Sequence, residues 1–186
     1  MRVISGTAKG TLLYTLEGDT TRPTLDRVKE AMFNILQMNL QDSEILDLFS
    51  GSGALGIEAL SRGAKRVVFC DQSKKAMEII RKNLEKTHLT EKAITIQEDY
   101  EKALDLLKKQ FQFDYIFLDP PYAKDFAKIA LQNIIAMDLL KEDGTIIIET
   151  DEEERILKEI KDTDVIVRDL RKYGRVHLIF LGSKEG

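Results

Sequence analysis

Two short stretches concentrate the residue types that do chemistry. The first is Asp47-Leu48-Phe49-Ser50-Gly51-Ser52-Gly53-Ala54-Leu55-Gly56, where an apolar run enters a glycine-rich turn and the pattern becomes helical over 54–62. Glycine at 51 and 53 lets the backbone turn sharply and approach a ligand, while the following helix N-terminus offers unpaired N–H groups. The spacing is G-x-G-x-x-G, and Asp71 ends the next apolar run 20 residues after Gly51. An acidic side chain there accepts hydrogen bonds from both ribose hydroxyls of a nucleoside. The pattern indicates an adenosine-containing cofactor without separating a dinucleotide from S-adenosylmethionine (SAM). Glycines serving only a tight strand–helix turn would leave the same trace.

The second stretch separates those cofactors. The run 114–118 ends in Asp119-Pro120-Pro121-Tyr122. Two prolines hold the backbone rigid just past the carboxyl end of a strand, where open α/β sheets place their ligands. The Asp119 carboxylate and the Pro120 carbonyl both accept hydrogen bonds, and an exocyclic amine has two N–H groups to donate. Gripping both draws the nitrogen lone pair out of conjugation and toward an incoming methyl group. Tyr122 offers a flat face for a planar base, a contact worth roughly 1–3 kcal/mol. A dinucleotide oxidoreductase has no use for such a cluster.

The elements that must position these residues follow from hydropathy. Apolar runs at 44–49, 66–70, 93–97, 114–118 and 144–149 alternate with helical patterns, the signature of a parallel α/β sheet. The pattern over 73–86 places Ala76, Met77, Ile79, Ile80 and Leu84 on one stripe; 125–136 does the same with Phe126, Ile129, Ala130, Ile134 and Ile135. Residues 1–19 read as short strands with turns, and 21–38 as a helix with Pro23 in its first turn. Segments 164–171 and 175–181 flank Tyr173-Gly174 and predict an antiparallel pair closing the sheet. The fold expected is Rossmann-like α/β: a mostly parallel seven-stranded sheet with an antiparallel C-terminal strand and helices on both faces. It forms one domain over 1–186, with 1–20 a small hairpin-like extension.

Composition narrows the setting. The 186 residues carry 28 Lys and Arg against 32 Asp and Glu, a net charge of −4, so any polyanion must be met by a local basic patch. A single cysteine, Cys70, excludes a disulfide framework, and two isolated histidines, His88 and His177, leave no zinc-ligand cluster. The sequence predicts no metal, no signal peptide and no membrane span, hence a cytoplasmic protein.

Taken together, the glycine loop, the acidic end of the second strand and Asp119–Tyr122 resemble a SAM-dependent amino-methyltransferase. The stretches Arg2-Val3-Ile4-Ser5-Gly6 and Thr21-Arg22-Pro23-Thr24-Leu25-Asp26-Arg27-Val28-Lys29-Glu30, with the C-terminal Lys172-Tyr173-Gly174-Arg175, are similar to the RsmD family. That family comprises bacterial 16S ribosomal RNA guanine-N2 methyltransferases, and the resemblance covers nearly the whole chain.

The resemblance implies SAM as cofactor and small-subunit rRNA, or an assembling small subunit, as partner. It implies that Asp47, Phe49, Gly51, Ser52 and Gly53 line the methionine side of the cofactor site. Asp71 and Gln72 would serve the ribose, Asp99 and Tyr100 the adenine, and Asp119 the reacting end. Asp119, Pro120 and Tyr122 would be catalytic, and Arg2, Lys9, Arg22, Thr24, Arg27 and Tyr122 would meet the RNA, with Lys29 in the same basic patch. Asp99 is equally suited to cap a helix over 100–108, and Arg22 and Arg27 to be solvated helix-end charges. Competing readings are a DNA-adenine or protein-glutamine methyltransferase with the same tetrapeptide, an NAD-dependent oxidoreductase and a non-catalytic RNA-binding module.

Overall fold

The computed structural model describes residues 1–16, 23–36, 39–119 and 125–184. Seven strands form one sheet: β1 (Glu44–Leu48), β2 (Arg66–Cys70), β3 (Ala93–Ile96), β4 (Phe113–Leu118), β5 (Leu140–Thr150), β6 (Val165–Tyr173) and β7 (Val176–Ser183). Six helices accompany them: α1 (Pro23–Leu36), α2 (Ala54–Ser61), α3 (Lys74–Thr87), α4 (Tyr100–Leu107), α5 (Phe126–Ala136) and α6 (Glu153–Ile160). The strand order is β3-β2-β1-β4-β5-β7-β6, with β7 antiparallel to both its neighbours. Strand order reverses between β1 and β4, and the crevice outside the carboxyl ends at that point is where such sheets bind ligands.

Period-two alternation sorts the two faces. Ile45, Phe69, Phe117 and Ile147 face α1–α3 together with Phe33, Ile57 and Ile80. Leu46, Cys70, Leu118 and Ile148 face α4–α6 together with Leu104, Leu131 and Ile156. Both faces are therefore covered, which is why the central strands carry apolar residues at nearly every position.

The structure departs from expectation in places. On α5 the buried stripe is Ala127, Ala130, Leu131 and Ile134, whereas Ile129 is exposed. Helix α6 was not anticipated: it buries only Ile156 and Ile160, one turn apart, within an otherwise charged segment. Residues 1–16 form no regular strand. They fold back through Val3 N–H to Thr11 C=O, Gly10 N–H to Val3 C=O and one isolated bridge, Arg2 to Leu12.

Candidate active site at the β1–β4 switch

The glycine loop leaves β1 through Phe49, which takes a left-handed φ of 74°. Gly53 opens α2 at φ 77°, a conformation that disfavours any side chain. At Gly56 the reason is packing, since an added Cβ would lie 2.3 Å from the Phe69 ring. Ser50 ties the turn to β2 by accepting from Cys70 N–H at 3.0 Å and donating to Asp47 C=O at 2.6 Å. Asp47 is buried, and its carboxylate accepts the Gly56 N–H at 3.1 Å. Burial pushes that carboxyl up to about 7; the Gly56 bond opposes the shift, while Asp119 and Asp71 reinforce it.

Asp71 follows β2 and grips the loop from across the crevice. One oxygen accepts Gly51 N–H and the other Ser73 N–H, each at 2.9 Å. Asp99 caps α4, accepting Lys102 N–H at 3.1 Å and pairing with the Lys102 ammonium at 3.0 Å. The same backbone bond, then the ammonium, hold its carboxyl below the usual range. The capping role and a place in the crevice coexist.

A pocket of about 410 Å³ joins these groups, with Phe49, Asp71, Gln72, Asp99, Tyr100 and Asp119 in its wall. Leu48, Cys70, Glu98 and Phe126 complete it. Phe49, Tyr100 and Phe126 form a continuous aromatic side, with successive ring centroids 5.5 Å apart. Burial and then the hydrogen bond to Glu101 push the Tyr100 phenol up to about 12, so it stays protonated. Cys70 lies buried with its thiol pushed up by burial, a packing residue and no nucleophile. Of the predicted cofactor residues, Asp47, Gly51, Ser52 and Gly53 are not in this lining; Asp47 lies in β1 and the other three in the turn that follows it. Arg22, Pro120 and Tyr122, and the side chain of Thr24, lie outside the described residues.

Phe126 and Glu149 were missed by sequence reasoning. Phe126 carried a signal, an aromatic at the start of a helix just after Asp119–Tyr122, but it was assigned to the core stripe. Glu149, the penultimate residue of β5, follows the pair Leu118–Ile148 and so stands next to Asp119. Burial and then the Asp119 carboxylate push its carboxyl up to about 7.

The predicted RNA residues divide. Exposed Arg2, Lys9 and Arg27 line one groove of about 320 Å³, together with Asp26 and Glu30. Lys29 does not belong to that patch. It is buried, donates to Arg2 C=O at 2.7 Å and sits 3.3 Å from the buried Glu58. Glu58 also accepts from Arg62 Nε at 2.8 Å, from Ile4 N–H at 2.8 Å and from Ser5 N–H at 3.0 Å. Here a cation was required to neutralise a buried carboxylate.

Comparison with known proteins gives the chain its family. The profile of the family described as "Conserved hypothetical protein 95" matches residues 1–182. The ribosomal RNA small subunit methyltransferase D of Haemophilus influenzae is 38% identical over 84% of this chain and 82% of its own. The chain belongs to this family. The RsmD kinship of the sequence patterns thus extends over nearly the whole fold. YlbH of Bacillus subtilis, provisionally named an rRNA methyltransferase, is 43% identical over 87% of this chain and 89% of its own. A solved Haemophilus influenzae structure, provisionally a methylase, superposes with a TM-score of 0.76 at 34% identity, covering 98% of this chain and 97% of that one. The RsmD member therefore has the expected methyltransferase fold. Among the described residues no group of His, Cys, Asp or Glu is arranged to hold a metal, and no helix is long and apolar enough to cross a membrane.

Proposed function

We propose that the chain transfers a methyl group from SAM to the exocyclic N2 amine of a guanine in 16S, small-subunit rRNA. The observation that carries this reading is the pocket at the β1–β4 switch, which puts Asp71, Asp99 and an aromatic wall beside Asp119. Its volume suits a nucleoside ligand. Kinship with the RsmD methyltransferases supports the rRNA substrate.

In this reading Asp71 and Gln72 hold the ribose, Asp99 and the Tyr100 edge the adenine, and the Asp47-supported loop Gly51–Gly53 the methionine portion. When bound, SAM supplies an electrophilic methyl group on a sulfonium. Carboxylates at Asp47, Asp71 and Asp119 make the crevice favourable to that positive charge. Asp119 and the Pro120 carbonyl accept hydrogen bonds from the two N2–H groups, Tyr122 stacks on the base, and the aligned amine needs no strong base. The amine becomes acidic only once methylated, and its proton then leaves to Asp119 or water. The target base must leave its stack to reach this depth.

Arg2, Lys9 and Arg27 contact RNA phosphates from their shared groove, and residues 1–20 with the core act as one cytoplasmic methyltransferase domain. Titration with SAM and NAD, followed by methylation of small-subunit rRNA and mass-spectrometric mapping of the product, tests the reading. SAM binding and N2-methylguanine are the expected results; tighter NAD binding or an unmethylated guanine overturns it.

A further inference from the structure

Strands β4 and β5 are parallel neighbours, with Leu118 opposite Ile148. The next residues, Asp119 just past β4 and Glu149 still paired to Leu178 of β7, therefore stand side by side, about 4.8 Å apart in the strand-to-strand direction. Ile45, Phe117 and Ile147 point to the same face of the sheet. Two residues further along, Asp47, Asp119 and Glu149 do likewise, by the same alternation. The half-buried Glu149 carboxyl makes no hydrogen bond or ion pair with any described side chain, although burial beside a second carboxylate ordinarily calls for a cation.

We propose that Glu149 reads the lactam edge of the substrate guanine, N1–H and O6, while Asp119 holds the adjacent N2 amine. This inference rests on the guanine-N2 reading above. A neutral carboxyl is complementary to a lactam: its carbonyl oxygen accepts N1–H and its hydroxyl donates to O6. The strand spacing matches the span of a purine's Watson–Crick edge. Burial, and then crowding by Asp119, favours the neutral form of Glu149. 2-Aminopurine, which keeps the N2 amine, offers neither N1–H nor O6, so Glu149 could at most donate its hydroxyl to N1 and its second oxygen would stay unpaired. That is the arrangement by which enzymes reject a near-isostere strongly. Glu149 would thus select the base that Asp119 then positions.

The test uses synthetic small-subunit rRNA fragments in which the guanine methylated by the parent enzyme has been mapped. A second fragment carries 2-aminopurine there, which keeps the N2 amine but lacks N1–H and O6. Single-turnover rates are measured for the parent, Glu149→Ala and Glu149→Gln, with SAM affinity as a folding and cofactor control. The parent should prefer guanine by about tenfold or more. Glu149→Ala should lose about tenfold on guanine and little on 2-aminopurine, so that the preference collapses. Glu149→Gln should stay within about threefold of the parent on guanine, because its amide still accepts N1–H and donates to O6. Equal losses on both bases in Glu149→Ala, equal losses in Ala and Gln variants, or a Glu149→Ala rate matching the parent would each overturn the inference. A parent that methylates no guanine N2 overturns the functional reading itself.

Discussion

The two sides of the β1–β4 crevice are built differently. On the glycine-loop side nearly every polar group is fastened. Asp71 holds two backbone N–H groups, Asp47 holds Gly56, and the buried Asn83 side chain bonds both Tyr14 N–H, at 2.7 Å, and Ser52 C=O, at 3.0 Å. Glu58 adds two cations and two more backbone N–H groups beneath the amino-terminal segment. On the β4–β5 side Asp119 is exposed, and Glu149 is pushed toward neutrality by burial and then by Asp119. One side spends its polar groups on a fixed shape for a cofactor. The other sets two carboxyls, Asp119 and Glu149, beside each other, and in the proposed reading these meet the substrate.

The largest effect should come from breaking the fastened side. Glu58→Ala strands Lys29 and Arg62 as buried cations and frees two N–H groups, a loss of about 3–5 kcal/mol. Thermal or urea unfolding measures it; a loss below about 1 kcal/mol would show that the network is solvated and the contrast overstated.

Asp119→Ala tests the other side. Methyl transfer should fall on the order of 10²-fold or more, with SAM affinity within a few-fold and stability nearly unchanged. Asp119→Asn should be milder, since an amide oxygen still accepts. Parent-like single-turnover rates in Asp119→Ala would reduce Asp119–Tyr122 to a turn.

Asp71→Ala should weaken SAM by about 1–3 kcal/mol in calorimetric titration. Because Asp71 also holds Gly51, binding should become entropically less favourable as the loop loosens. Unchanged affinity would remove Asp71 from the site.

The smallest effect concerns pH. The Asp47 carboxyl is raised to about 7, so the folded apo protein binds a proton that the unfolded chain has released. Its stability is therefore greatest below about pH 4 as far as Asp47 is concerned, and declines as pH climbs through about 7. A bound sulfonium favours the ionised form, giving the opposite sign for the cofactor: SAM affinity should rise with pH up to about 7, by at most about tenfold per unit. S-adenosylhomocysteine, with a neutral sulfur, should show a flatter profile. Calorimetry from pH 5.5 to 8.5 compares the two, and a flat SAM profile would place Asp47 outside the cation's field.

The sequence by itself determined what is local. Alternating apolar runs specify strands, the glycine spacing specifies the β1–α2 turn, and the acidic residues at 47, 71 and 119 mark strand ends, because each depends on a few consecutive residues. Helix α6 escaped, since two isoleucines among charges leave a weak periodic trace, and the short strands read over 1–19 come down, within 1–16, to one isolated bridge between Arg2 and Leu12. What only the tertiary structure decided is pairing across long separations. Lys29 reads as a surface cation until α2 places Glu58 beneath it. Asn83 is an ordinary helix residue until the amino-terminal segment crosses it, 69 positions away in sequence. Glu149 looks like the polar end of a strand until the register of β5 against β4 sets it beside Asp119. A side chain's chemistry depends on the groups that surround and desolvate it, and those come from parts of the chain that meet only on folding.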